Sequence, residues 1–586
     1  MNNAITENLD VWTTSQTRKS KGRGRSVDNQ SQHGIDKLRE LILDLAVRGK
    51  LVPQDPNDEP ASILLNKIIT GRDKLIKEGK VKVQKPLPEL IPKEAPLILP
   101  ENWEMIRLGE ISEVERGGSP RPIKSYITND PDGINWIKIG DTDIGGKYIS
   151  SSGEKIRKEG LSKTRMVYPG DFLLTNSMSF GRPYITKIQG CIHDGWLRIN
   201  PPSSINKDFL YELLSSNYAN TFFTAKASGA VVLNLNAEKV RELPILIPPI
   251  AEQHRIVAKV DELMALCDEL EREQTKNNKA HEILVNALLN ILINAKDQTD
   301  FDETWNRISK NFDVLFTTEQ SIDKLKQTIL QLAVMGKLVP QNPEDEPASI
   351  LLEKIAKEKA KLVKEGKIKP QKLLPEIRED EKPFGIPIGW EWSRIGYASL
   401  FSEYGLSEKT FEGISGIPVL KMGDIQNGNI LLGGQKLVPA HVDNLPRLLI
   451  KNLDILYNRT NSAELVGKTG IYEGLDDAYT FASYLIRIRC QNDCLNPFFL
   501  NHSMNSVLFR KTQIEPHLKQ QCGQANVNGT ILKNMITAIP PISEQKRIVE
   551  KVKELFAICD SLKQQIIDSQ ETKVQLANTI VKLGVI

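Results

Sequence analysis

The chain has 586 residues, 40% of them hydrophobic and 26% charged, with a formal net charge of +3. That length exceeds a single core and predicts several domains of roughly 100 to 200 residues each. The charge balance excludes a chain that is basic throughout, and no apolar stretch approaches the ~20 residues of a membrane span. The amino-terminal residues lack the apolar core of a secretory signal, so a cytoplasmic location with reduced cysteines is expected.

In chain order, residues 1–34 contain Arg18, Lys19, Lys21, Arg23 and Arg25 among Gly and Ser, and read as a basic disordered arm. Such an arm is either a phosphate-touching segment or a solvated tail. Next comes a repeat. Ile35 to Ile68 and Ile322 to Ile355 are identical at 26 of 34 positions. The match continues through KEGK at Lys77 and Lys364, LPE at Leu87 and Leu374, and Trp103 and Trp390. This is repeat A. It reads as two short helices, the first with Ile35, Leu38, Ile42 and Leu45 on one face, stopped by Gly49 and Gly336 in a left-handed conformation. Asp58 with Pro60, and Asp345 with Pro347, mark the next helix start. Pro86 to Pro100 and Pro370 to Pro387 are linkers.

A second pair, IPPIAEQHRIV from Ile247 and IPPISEQKRIV from Ile539, opens repeat B. The order is A, insert, B, A, insert, B. If both halves fold alike, the last B completes the first A, giving a closed pseudo-twofold ring with adjacent termini. Repeat B carries heptads: Ile256, Val260, Leu263, Cys267, Leu270, Gln274, Asn277, His281, Leu284, Leu288 and Ile291. The second copy keeps register at Ile548, Val552, Leu555, Cys559, Leu562, Ile566, Ser569, Lys573, Leu576, Ile580 and Leu583. Two helices of ~60 Å are expected, paired antiparallel, with Cys267 and Cys559 as small buried apolar groups and His281 as a partly hydrated seam residue. The lone C-x3-C of Cys490 and Cys494 does not make a metal site.

The inserts, from Trp103 to Leu246 and from Trp390 to Ala538, hold short Ile- and Val-rich strands between Gly, Asp and Asn turns and read as α/β globules. They look unlike each other, yet a skeleton survives. Lys138-Ile139-Gly140-Asp141 answers Lys421-Met422-Gly423-Asp424, and Gly170-Asp171-Phe172-Leu173 answers Leu453-Asp454-Ile455-Leu456. Trp196-Leu197-Arg198-Ile199 answers Tyr484-Leu485-Ile486-Arg487, and Asn234-Leu235-Asn236 answers Asn526-Val527-Asn528. Asp171 and Asp454 read as turn caps.

With these motifs the chain resembles the DNA-specificity subunits of type I restriction-modification systems. The run L-x-x-x-I-L-x-x-A-x-x-G-K-L-V of repeat A, the I-P-P-x-x-E-Q-x-R-I-V run of repeat B, the Gly-Asp pairs and the two-insert order carry the resemblance, which covers nearly everything beyond residue 34. The long first repeat A resembles the family branch with an extended amino-terminal region. The resemblance implies a mixed α/β fold: two α/β target recognition domains joined by two long antiparallel helices in a circularly permuted internal repeat. Its expected parts are 1–34, the arm; 35–100, a helical region; 101–246, recognition domain one; 247–387, a central region with a long helix; 388–538, recognition domain two; and 539–586, the second long helix. The resemblance also implies a bipartite, asymmetric DNA site, a spacer set by the helices, and two modification subunits that use S-adenosylmethionine to methylate adenine. Restriction subunits that use ATP and Mg complete the implied assembly, and no cofactor is expected in this chain. Physics supports the division: half-sites on one face of DNA lie about 34 Å apart, within reach of such helices, and unlike inserts suit unlike half-sites.

Base readout needs Arg, Lys, Asn or Gln on exposed loops, and phosphate contacts need Lys, Arg, Ser or Thr. The candidates in the first insert are Ser119, Arg121 and Lys124 in the Gly117 to Lys124 loop, with Asn176, Ser177 and Arg182. In the second insert they are Asn458, Arg459, Thr460, Asn461 and Lys468, with Lys421 and Gln435. The enzyme motifs fail. Asn200-Pro201-Pro202 is followed by Ser203 instead of an aromatic, and Gly467-Lys468-Thr469 has Ser462 where a phosphate loop needs glycine. Pro131-Asp132 lacks the acid-x-Lys of a nuclease site. Catalysis is expected of partners. The competing class is a duplicated coiled-coil scaffold whose inserts bind proteins.

Overall fold

The computed structural model describes residues 3–18, 30–79, 83–91, 99–143, 145–176, 181–227, 235–521 and 524–585. The chain forms two compact units, Met1–Asn278 with Ser569–Ile586, and Lys279–Asp568. Among the described residues no helix is long and apolar enough to cross a membrane, and no group of three His, Cys, Asp or Glu side chains could hold a metal ion.

In the first unit, α1 (Asn3–Thr6) and α2 (Leu9–Thr14) replace part of the expected disordered arm. Ile5, Val11 and Trp12 are buried, and the Trp12 indole donates to the Ile5 carbonyl at 3.2 Å, so this segment does have an apolar anchor. Arg18 lies in a two-residue strand paired with Gln30–Ser31. Lys19, Lys21, Arg23 and Arg25 lie outside the described residues. Helix α3 (His33–Val47) buries Ile35, Leu38, Ile42 and Leu45, the face expected of repeat A. Gly49 stops it at φ +68°, and a Cβ there would sit 2.7 Å from Pro100, so both conformation and space require glycine. Helix α4 (Ala61–Lys77) follows Pro60. That is the start which Asp58 and Pro60 mark in the sequence, and Asp58 pairs with Arg255 at 2.6 Å.

Strand β1 (Glu104–Arg107) pairs antiparallel with the strand that closes the insert, Pro244–Ile247. Between them lie β2 (Glu113–Arg116), β3 (Tyr148–Ile149), β4 (Phe172–Thr175), β5 (Pro183–Thr186) and β6 (Trp196–Asn200), ordered β2-β6-β4-β5-β3. A second sheet contains Ile134–Ile137, Arg165–Val167 and Gly190–Ile192, and Ile137, Val167 and Ile192 share a core with Leu173, Tyr184 and Trp196 of the first. Strand β7 (Pro244–Ile247) then leads into helix α6 (Ile250–Ile293), with α5 (Lys207–Ser215) lying upstream in the chain.

The first turn of α6 is a clamp. The buried Glu252 carboxylate accepts from the Trp103 indole at 3.0 Å and from Gln54 at 2.7 Å. Gln253 accepts the Asn206 backbone N–H at 2.9 Å while donating to the Pro248 carbonyl. Asn206 in turn caps α5. Buried Arg107 donates to the carbonyls of Pro88, Glu89 and Glu242, tying the LPE linker to the insert.

The second unit repeats this with α7 (Glu319–Val334), α8 (Ala348–Lys364), strands β8 (Glu391–Arg394) to β14 (Ile536–Ile539), α9 (Pro497–Met504) and α10 (Ile542–Val585). Glu544 accepts from Trp390 at 3.0 Å and Gln341 at 2.8 Å, Gln545 from Asn496, and Arg547 pairs with Asp345 at 2.8 Å. Arg394 donates to the carbonyls of Pro375, Glu376 and Asn534. Gly336 takes φ +70° against Pro387. The E-Q-x-R motif is thus a joint between repeat A, insert and long helix.

Each 44-residue long helix has its opening in one unit and its end in the other. In the first unit α3 touches both: Arg39 pairs with Asp268 and Glu271 of α6, and His33 meets Asn578 of α10 at 3.1 Å. Gly584 lies against Ala4, so the two ends of the described chain are adjacent. In the second unit Lys326 pairs with Asp560, and Lys563 with Asp323.

Ile256, Val260, Leu263, Cys267, Ile548, Val552 and Cys559 are buried, and Leu270, Leu555 and Leu562 pack partly buried against the same cores. Beyond the polar middle the heptad register fails. Leu284 is 50% and Leu576 45% exposed, whereas Val285, Leu289, Ala577 and Val581, each one position on, are buried. Leu288 and Ile580 stay partly buried at the margin. A straight helix drifts by ~20° per heptad against a 3.5-residue repeat, which moves the contact by one position. Val285→Asp should destabilise the chain by at least ~3 kcal/mol, because it buries an unpaired charge. Leu284→Asp should change it by no more than ~0.5 kcal/mol in thermal unfolding; equal effects would restore the heptad register.

Candidate nucleic-acid interface

In the first insert three loops converge. The first leaves β2: Gly117 N–H donates to Trp196 O at 2.9 Å and Gly118 N–H to Ile192 O at 3.2 Å. A Cβ on Gly117 would lie 2.2 Å from the His193 carbonyl, so only glycine permits this approach. The second is the β4–β5 hairpin, closed by Gly181 N–H to Thr175 O at 2.7 Å with Gly181 at φ +80°. The third is His193–Asp194–Gly195, where Asp194 is the hub. Its carboxylate accepts from Ser119 Oγ at 2.6 Å, and its carbonyl accepts from Asn176 Nδ2 at 2.8 Å and Arg116 Nε at 3.0 Å. The Ser119 hydrogen bond holds the Asp194 carboxyl below the usual carboxylate range.

The second insert has the same frame. Strands β9 (Phe401–Tyr404), β10 (Asn429–Ile430), β11 (Ile455–Asn458), β12 (Thr469–Ile471) and β13 (Leu485–Arg489) run in the order β9-β13-β11-β12-β10, with Ile425–Gln426 added at the edge. Gly405 N–H donates to Leu485 O and Leu406 N–H to Phe481 O, and a Cβ on Gly405 would lie 2.2 Å from Phe481 O. Gly467, at φ +91°, donates to Asn458 O at 2.8 Å. Arg459 stands where Asn176 stands: Arg459 N–H donates to Tyr484 O at 3.0 Å as Asn176 N–H does to Gly195 O at 2.9 Å. Its Nε reaches Ser483 O as Asn176 reaches Asp194 O.

The register also corrects one equivalence. Arg198 lies opposite Leu173 and Arg487 opposite Leu456, so Arg198 answers Arg487, one residue later than the sequence match. Arg198 and Arg489 pair with Asp171 and Asp454, which also accept from the backbones of Tyr168 and Lys451 as turn caps. The Gly-Asp motifs superpose in kind: Asp141 accepts from Lys138 N–H at 2.7 Å and Asp424 from Lys421 N–H at 2.6 Å.

Among the sequence candidates, Arg121, Lys124, Arg182 and Lys468 are exposed. Arg459 is half-buried, donating to Asn526 at 3.0 Å and lying over the Tyr404 ring at 5.1 Å. Thr460 and Asn461 form a short strand against Ala525 and Asn526. Asn176 and Asn458 are buried and brace their hairpins, so they are frame rather than free surface. Ser119 spends its hydroxyl on Asp194. Ser177 lies outside the described residues. Lys421 binds Thr410 at 2.9 Å, and Gln435 donates to Leu431 O and Asp424, at the Gly-Asp turn rather than the hairpin. Missed by the sequence reading were Asp194 and the loop Gly405 to Lys409. The shared pattern Gly-x-Ser-x-cation, at Gly117 to Arg121 and Gly405 to Lys409, could have found the second.

The arrangement is a pair of polar loop clusters on matching sheets. The model of the type I restriction modification DNA specificity domain matches twice, at residues 100–280 and 397–571. The chain is 35% identical to the type I restriction enzyme EcoEI specificity subunit of Escherichia coli and 35% to the EcoAI specificity subunit of the same species, each match covering 98% of both chains. It is 22% identical to the EcoKI specificity subunit of E. coli K12, over 80% of this chain and 85% of that one. The chain belongs to the type I restriction enzyme specificity subunits, the DNA-recognition and non-catalytic members of assemblies with other restriction-modification subunits.

Ser119→Ala should move the Asp194 carboxyl up toward the ordinary ~3.9. In the parent chain the stabilisation from this group is present above that value and is lost as pH falls through the depressed folded value. Carbon-detected NMR titration checks this; an unmoved midpoint would remove Ser119 as the cause.

Proposed function

We propose that each insert reads one half of a bipartite, asymmetric duplex site, and that the long helices set the spacer between the halves. One observation carries this reading: the two inserts share a frame and differ in the side chains their loop clusters carry. Exposed Arg116, Arg121 and Arg182 in the first answer Tyr404, Lys409 and Lys468 in the second, and buried Asn176 and Gly195 answer half-buried Arg459 and exposed Tyr484. A common frame presents the face in the same way, and different side chains on it recognise different bases. The 44-residue helices, about 66 Å at 1.5 Å per residue, exceed the ~34 Å of one DNA turn.

In this reading the chain works in the cytoplasm, in defence against invading DNA. Two modification subunits use S-adenosylmethionine to methylate adenine, and restriction subunits use ATP and Mg to translocate and cleave. The chain itself supplies specificity and no cofactor. Exposed Arg182 and Lys468, which follow the two hairpin glycines, contact phosphates, and Arg459, held by Asn526 and Tyr404, contacts a base.

Binding of the assembled complex to its site should weaken steeply with salt as counterions are released. Arg182→Ala or Lys468→Ala should lower the magnitude of the log–log slope by ~0.9 each. Arg459→Ala should cost roughly 1–3 kcal/mol on the cognate site alone. Salt-independent association would instead favour the protein-binding scaffold.

A further inference from the structure

We propose that Asp194 is a positioning residue that aims Arg121 at a guanine in the half-site read by the first insert; this rests on the DNA-reading assignment above. Arg121 is 82% exposed, and its guanidinium lies 3.7 Å from Asp194 Oδ2. The other carboxylate oxygen, Oδ1, is fixed by Ser119 at 2.6 Å, and Ser119 Oγ also lies 3.3 Å from the Asp194 backbone N–H. Arg116, at the end of β2, and Asn176, in the β4–β5 hairpin, grip the Asp194 carbonyl. Ser119 therefore anchors the carboxylate through Oδ1, Arg116 and Asn176 anchor the backbone that carries it, and Oδ2 faces Arg121.

An exposed acid on a phosphate-facing loop opposes binding unless a cation accompanies it, so Asp194 is not itself a phosphate contact. Behind an arginine it has a use. It limits the rotamers of a long side chain and holds the planar fork in orientation, reducing the ordering cost of binding. The free edge of that fork presents two parallel N–H donors, and guanine N7 and O6 are the matching acceptor pair in the major groove. The second insert lacks the device: its equivalent carbonyl belongs to Ser483, and Lys409 stands where Arg121 stands. The effect is thus confined to one half-site.

The test is the motif of methylated adenines, mapped by single-molecule sequencing in cells carrying the full set of subunits, for the parent chain and for Arg121→Lys, Asp194→Asn and Ser119→Ala. Arg121→Lys retains the charge and loses the fork. It and Asp194→Asn should both relax one and the same G·C position in one half-site. The preference for that base pair should fall roughly ten- to hundred-fold, with the other half-site unchanged. Ser119→Ala should relax the same position more weakly. An unchanged motif, relaxation at different positions, or loss of the whole half-site in both Arg121→Lys and Asp194→Asn overturns the inference while leaving the DNA-reading assignment intact. A parent chain that directs no two-part motif overturns both.

Discussion

A carboxylate buried at the first turn of a long helix costs several kcal/mol unless donors meet it. Burial pushes the Glu252 and Glu544 carboxyls up from their usual range, against the lowering pull of the indole and amide donors. Those donors are Trp103 and Gln54 in one unit and Trp390 and Gln341 in the other. The tryptophan stands at the door of the insert and the glutamine belongs to repeat A, so one desolvated charge forces three separate parts of the chain into register. The neighbouring glutamine, Gln253 or Gln545, binds the cap residue of a helix inside the insert. None of the polar loop clusters of the inserts takes part. The loops are therefore free to diverge while the joint holds.

That freedom explains how unlike sequences sit on one frame. Both inserts hang from an antiparallel strand pair at the clamp, and both place the same five strands in the same order. Two glycines per insert are fixed by contact or conformation, Gly117 and Gly181 in one and Gly405 and Gly467 in the other. Between these pins the side chains change kind. An acid hub met by Arg116 and Arg121 in one insert becomes an arginine, Arg459, lying over the Tyr404 ring in the other. The ion pairs between repeat A and the long helices show a similar substitution within a fixed frame: Glu271 of α6 accepts from Arg39 of α3, whereas Lys563 of α10 donates to Asp323 of α7.

Repeat A, the glycine stops and the heptads were legible because they are local: periodicity, a helix stop and an identical run need no knowledge of what lies across the fold. The shared sheet was only partly legible. Its neighbouring strands, such as β2 beside β6, are separated by most of the insert, so pairing register could not be read and the Arg198 match slipped by one. Asn176 and Asn458 looked like exposed readers by residue type, but each hairpin turns its amide inward. The basic arm concealed Ile5, Val11 and Trp12, too few apolar residues to announce a helix. The long-helix seam followed the heptads until accumulated drift moved it past Leu284 and Leu576.

The central claim is that matching frames with unlike faces read unlike half-sites. The most direct measurement is the methylated-adenine motif of a chain in which the second insert is replaced by a second copy of the first, set beside the parent motif. The account predicts two different short half-sites across a fixed spacer for the parent. For the duplicated chain it predicts the first half-site repeated in inverted orientation across that spacer. An unchanged motif in the duplicated chain, or one continuous motif for the parent, would contradict it.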